Sequence, residues 1–152
     1  QAFELYQQAI AAFDSAPKKA KYLNSAGIAL CDAALEAQKP NPNHQIIDQF
    51  TQALQLHQQA IAALDSAPTK AKYLIDAGNA LEFAAKEAQK PNPNQQIIAD
   101  YTRAFELYQQ ALAAFNAGVP DAAHLLYLKG NAYHNKAAKA QNPGANQSCT
   151  IS

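Results

Sequence analysis

Apolar positions recur along the chain at spacings of three and four, the mark of helices that bury one face. In the first stretch Phe3, Tyr6, Ile10 and Phe13 share such a face, which predicts a helix over about residues 1–15. Pro17 suits a first helical turn, where its missing N–H costs nothing, and Ser15 is the expected N-cap. A second helix then runs from about Pro17 to Lys39. Pro40, Asn41, Pro42 and Asn43 end it, because a residue before proline is pushed out of the helical region and Asn43 can cap the next helix. The same reasoning predicts helices over about His44 to Asp65, Pro68 to Lys90 and Gln95 to Asn116. Gly118 supplies a stop, and Pro120 opens a sixth helix that continues to about Gln141. The short connections make successive helices antiparallel.

Laid against itself, the chain repeats with a period of 51 residues: QAIAAFDSAPKKAKYL returns as QAIAALDSAPTKAKYL, and EAQKPNPNHQII as EAQKPNPNQQII. The copies begin near residues 1, 52 and 103, the third being the most divergent. Repetition at this length points to stacked helix pairs, each unable to bury its apolar face alone. The expected organisation is one α-helical domain over residues 1–141 and a flexible tail over 142–152, where no apolar period continues. Gln1 falls inside a helical pattern, so the expectation is that an N-terminal portion is missing.

Composition narrows the reading. The chain has 152 residues and a formal net charge of zero, with no Trp and no Met. Alanine supplies much of the apolar share, so contact must come from close approach of backbones. The basic residues form no stripe, which argues against a nucleic-acid partner. No apolar run approaches the roughly 18 residues that span a bilayer. Cys31 and Cys149 form no disulfide framework, which suits a reducing, cytoplasmic compartment.

Around Lys129, Gly130, Asn131, Ala132 and Tyr133 the chain resembles the first helix of a tetratricopeptide repeat, with Gly27 and Leu30, and Gly78 and Leu81, at matching positions. The second helix of that family is matched by Asp100, Tyr101, Ala104, Tyr108, Ala111 and Leu112. Phe50, Ala53, His57, Ala60 and Ile61 take the same places one copy earlier, with His57 a departure, and Ala2, Tyr6, Ala9 and Ile10 follow suit. The resemblance implies an all-α right-handed superhelix of six long antiparallel helices. From Gly78 to Ala104 the chain carries about four more helical turns than the family's unit of about 34 residues. A closed helical bundle is the alternative.

Comparison of the copies separates shared positions from changed ones. Leu23, Leu74 and Leu126 recur with Gly27, Gly78 and Gly130 as a packed seam. The changed positions lie on another face of the first helix of each pair: Lys21, Asn24, Ile28, Cys31 and Asp32; Lys72, Ile75, Asn79, Glu82 and Phe83; His124, Tyr127, Asn131, His134 and Asn135. In the tetratricopeptide family these offsets line a concave groove, so the resemblance implies that they bind a protein or peptide. Ile75, Phe83 and Tyr127 favour binding over drift, since a merely solvated face seldom gains large apolar side chains.

The last four residues, Cys149, Thr150, Ile151 and Ser152, resemble a C-a-a-X prenylation box, with a terminal serine typical of farnesyl transfer. The resemblance implies a prenyltransferase as a partner, a prenyl-binding carrier protein as a further one, and peripheral membrane association. Helical arrays ending in this way resemble bacterial effectors that use a host cell's transferase. For chemistry the sequence offers little. His44, His57, His124 and His134 have no metal-ligand spacing, no phosphate loop or hydrolase motif is present, and no general base stands beside Cys31. The expectation is a binding adaptor without a cofactor, with a self-associating structural bundle, or an enzyme whose polar cluster is assembled from distant helices, as the alternatives.

Overall fold

A computed structural model describes residues 2–142, which form six α-helices and no strand. They are α1 (Ala2–Ala12), α2 (Pro17–Ala37), α3 (His44–Ala63), α4 (Pro68–Ala88), α5 (Gln95–Asn116) and α6 (Pro120–Gln141). The prenylation-like residues Cys149, Thr150, Ile151 and Ser152 lie outside the described residues.

The elements begin where local chemistry starts them. Asn43 and Asn94 cap α3 and α5, the Asn43 side chain accepting from Ile46 N at 3.2 Å and the Asn94 side chain from Gln96 N at 3.0 Å and Ile97 N at 3.2 Å. Ser15 is not a cap. Ala16 and Ala67 hold the cap positions of α2 and α4 without a side-chain bond, and the proline next in the chain removes one of the donors a cap would satisfy. The helices also stop earlier than their apolar periods. Gln38 N and Lys39 N turn inward to Leu35 O and Glu36 O in a tightened final turn, so α2 closes at Ala37, and α4 closes at Ala88 in the same way. The third copy carries one extra residue in its turn. Gly118 takes φ 81°, where a side chain would be strained, and lets Val119 N reach back to Ala114 O.

Each helix packs along its length on its neighbours in the chain, and no extensive packing joins α1 to α5 or α6 among the described residues. A closed bundle would require that contact. Side chains place α2, α4 and α6 side by side and parallel. Glu36 meets Gln89 and Glu87 meets Gln141, while at the other end of the helices Asp76 and Tyr73 meet Tyr127. The odd-numbered helices form the second layer.

The glycines show how the layers come together. A Cβ added at Gly27, Gly78 or Gly130 would stand 2.8, 2.7 and 2.7 Å from Tyr6, His57 and Tyr108 respectively. These three partners are themselves 51 residues apart, so one contact is made three times, with a ring lying flat on a bare backbone. His57 is fully buried there, in the place held by tyrosine in the other two copies. Around the seam, Ala26, Ala29, Ala53, Ala60, Ala77, Ala80, Ala104 and Ala111 have no exposed surface, which is how a chain poor in large side chains obtains a dense core.

Two buried carboxylates fasten the loops. Glu36 accepts from Lys39 Nζ at 2.9 Å, from Asn43 N at 3.2 Å and from Gln89 of the next hairpin at 2.8 Å. Glu87 repeats the arrangement with Lys90 at 2.8 Å, Asn94 N at 3.0 Å and Gln141 at 3.1 Å. The repeated EAQKPNPN run is thus a built joint in which one acid satisfies a loop amide, a lysine and the neighbouring unit.

Candidate binding groove

The helices α2, α4 and α6 present the changed positions in order along one face. Lys21, Lys72 and His124 are exposed near the start of their helices, and Ile28, Asn79 and Asn131 are half-buried further along. Asn24 and Asn135 are exposed, as is Phe83, whereas Asp32, Cys31 and His134 are half-buried. Three residues depart from the expected open face. Ile75, Glu82 and Tyr127 are buried, Tyr127 against Tyr73 of α4 and Glu82 beside His57 of α3 and Lys86 of its own helix. Tyr127 stacks on Tyr73 with ring centroids 4.6 Å apart and donates its hydroxyl to Asp76 Oδ2 at 2.5 Å. Burial and the Asp76 carboxylate push that hydroxyl well above the ordinary tyrosine value. These side chains fill the face from within.

What remains open is a groove of about 350 Å³ between α2 and α4. It gathers Lys21, Lys72, Ile75 and Asn79 from the expected set, together with Lys18, Tyr22 and Asp76, which the sequence comparison passed over. Lys18, Lys21 and Lys72 have no carboxylate within 4.0 Å among the described residues, whereas Lys39, Lys90 and Lys136 each have one and Lys86 has two. Lys72 also lies over the Tyr127 ring, 5.5 Å from its centroid. Asp76, the acid in the groove's lining, is engaged by Tyr127, so one end of the groove is basic in a chain whose net charge is zero.

Further along the face the structure assembles two clusters that no spacing in the sequence reveals. In the first, His57 Nε2 lies 3.5 Å from Glu82 Oε2, and Lys86 Nζ lies 3.6 Å from Glu82 and 3.5 Å from Asp32. Both His57 nitrogens, Glu82 Oε1 and Asp32 Oδ2 are buried without a close hydrogen-bond partner. Burial raises the Asp32 carboxyl above its ordinary value; Lys86 opposes this and Glu82 adds to it. In the second, Phe83, Tyr101 and His134 meet with centroids 5.3–5.7 Å apart. Burial holds the His134 imidazole below its ordinary value, with Asp76 acting against it.

The first cluster has the composition of an acid–base site and lines neither this groove nor the larger one at α1. Among the described residues no group of three His, Cys, Asp or Glu side chains is placed to hold a metal, and no helix is long and apolar enough to cross a membrane. Of the groove residues that were passed over, Tyr22 carried a signal, since KAKYL is shared by the first two copies while the third has Ala122, Ala123, His124, Leu125 and Leu126 in its place. Compared with known proteins, the chain matches no family model, no curated protein and no solved structure.

Proposed function

We propose that the chain is a tetratricopeptide-like adaptor, its helix pairs wound as a right-handed superhelix, which holds an extended acidic segment of a partner protein along the groove between α2 and α4. The observation that carries this reading is the convergence of Lys18, Lys21 and Lys72, none of them paired with a carboxylate, on a groove whose only acid is already engaged. Three exposed ammonium groups over a partly apolar floor favour a ligand with carboxylates spaced along an extended backbone, and Asn79 offers a carboxamide to that backbone.

Farnesyl transfer to Cys149 would bring the adaptor to a membrane surface, as the resemblance of the last four residues implies. One such chain binds a bilayer weakly and reversibly, and Lys136 and Lys139 add little basic charge, so the protein would exchange between membrane and cytosol with the help of a prenyl-binding carrier. The similarity to prenylated bacterial effectors makes a host cell the setting.

The groove reading is tested by selecting displayed peptides on the purified protein. Peptides enriched in Asp and Glu should emerge and should lose at least about tenfold in affinity against the Lys18→Glu, Lys21→Glu, Lys72→Glu triple variant, whose changes fall on exposed side chains. Selection without acidic enrichment rejects it. The membrane reading is tested by incubation with farnesyl diphosphate and the transferase, where a mass gain on Cys149 that is absent in Cys149→Ser is expected.

A further inference from the structure

An opening larger than the α2–α4 groove lies at the other end of the stack from α6, between α1 and α2. It has a volume of about 680 Å³ and includes Ile10, Phe13, Ala20 and Asn24 in its walls. Phe3, Ile10 and Phe13 are 70, 76 and 69 % exposed, an apolar face that a folded chain does not leave open without cause.

The repeat shows what belongs there. In the third copy, Phe115 and Tyr127 stand where Phe13 and Asn24 stand in the first, and the space between them is filled by Tyr73 of α4. Tyr73 packs edge-on to Phe115 at 6.1 Å and stacked on Tyr127 at 4.6 Å. In the second copy the corresponding residues are Leu64 and Ile75; Tyr22 of α2 packs, as Leu64 does, against the core cluster that holds Ile75, and all three line the adjoining groove. Twice, therefore, a tyrosine from the preceding even-numbered helix enters the opening between the next two helices. Among the described residues no tyrosine from a preceding helix enters the α1–α2 opening.

The opposite end of the stack is built differently. Where α4 shows Tyr73, Ala77 and Ala84, all buried, α6 shows Leu125, Lys129 and Lys136, all exposed, and Lys139 replaces the loop-fastening Glu87. Lysines in place of packed alanines make this outer face more polar than the matching face of α4, although Leu125, Leu128 and Tyr133 are exposed on the same helix. The α1 face has kept the residues of an interior unit.

We infer that the α1–α2 opening is a docking socket for one further helix of this chain's own type, bearing tyrosine within a Lys-Ala-Lys-Tyr-Leu run and alanines on the next turns. That helix would cover Ile10 and Phe13 as α4 covers Leu112 and Phe115. The α6 end of a second copy is a poor occupant, because it offers Leu125 in place of the tyrosine and lysines in place of the alanines.

Gln52 is the counterpart of Gln1, so fusing residues 1–51 ahead of the intact chain supplies a helix of this type in phase. Thermal unfolding of this extended protein should show a Tm at least about 5 °C above that of the original, and Tyr22→Ala in the added copy alone should remove most of the gain. Phe13→Ser in the original part should be nearly silent without the added copy and costly with it, a coupling that a general gain from extra length would not produce. No rise in Tm, or a rise indifferent to that tyrosine, overturns the proposal. So does sedimentation showing the original chain as a dimer that Leu125→Asp dissolves, since a second copy would then be the occupant.

Discussion

Glu36 Oε1 accepts a hydrogen bond from Gln89 Nε2 at 2.8 Å, joining α2 to α4 across 53 residues of sequence. With Lys39 and the Asn43 amide as further donors, the bond holds the Glu36 carboxyl far below its ordinary value of 4.5, at about 2, the Gln89 bond being the largest cause. A carboxyl whose folded value is depressed contributes stability that is complete above its unfolded value and is lost as pH falls towards the folded one. The protein should therefore weaken between about pH 4.5 and pH 2. Glu36→Gln should lower the urea midpoint at pH 7 and leave it nearly unchanged at pH 2, so the two curves converge on acidification. Glu87 adds a loss of the same sign. Burial pushes its carboxyl up, but Lys90, Asn94 and Gln141 outweigh this and its value is lowered. Parallel midpoints at all pH values would show that the joint at Glu36 does not discriminate the ionised acid.

Gly130→Ala tests the seam. The new Cβ would stand 2.7 Å from Tyr108 Cε1, and Tyr108 cannot retreat because it is buried and its hydroxyl donates to Asn131 Oδ1 at 2.6 Å. Overpacking of this kind costs about 1–3 kcal/mol, of which the helix preference of alanine returns up to about 1 kcal/mol. Gly27→Ala meets Tyr6, which is only half-buried and can swing outward. Chemical denaturation should thus show a clear loss for Gly130→Ala and a smaller one for Gly27→Ala.

The contrast between these glycines marks what could be read from the residues alone. The helices, their order and the seam were legible because apolar spacing, proline and asparagine act locally, and the repeat showed Gly27, Gly78 and Gly130 to be equivalent. The burial of Ile75, Glu82 and Tyr127 was not legible, because it depends on how far the even-numbered helices lean together. That lean is set by Tyr22, Tyr73 and the Glu36 joint, which reach across more than 50 residues. The unmatched lysines of the groove were hidden for the same reason, since pairing is a property of the assembled surface.

Tyr127→Phe separates packing from binding on the changed face. The variant keeps the ring on Tyr73 and removes only the hydroxyl that donates to Asp76, leaving that half-buried carboxylate without its donor. A loss of about 1–2 kcal/mol in unfolding free energy is expected, the magnitude for removing a hydrogen bond to a charged group. Affinity for a groove-selected acidic peptide should fall only modestly, by about threefold, because the ring itself is not among the groove's lining and the loss comes from Asp76 freed to face the ligand. A large loss of affinity at unchanged stability would mean that the hydroxyl faces the ligand.

Lys86→Met tests the acid cluster. Among the described residues Lys86 is the one ammonium near both Asp32 and Glu82, at 3.5 and 3.6 Å. Without it two largely covered carboxylates face one another beside His57, and Asp32, already raised by burial, rises further. A carboxyl raised in the folded state binds its proton more tightly there than in the unfolded chain, so it detracts from stability as pH climbs through the unfolded and then the folded value. The penalty of Lys86→Met should therefore be greatest near pH 7, at about 1–2 kcal/mol given that the lysine is partly exposed, and should shrink as pH approaches 4. Replacing Asp32 by Asn in the same chain should restore most of the lost stability at pH 7 while having little effect at pH 4. Urea titrations of the single and double variants at the two pH values measure the coupling directly, and a penalty independent of pH would assign Lys86 to packing by its aliphatic stem instead of to charge.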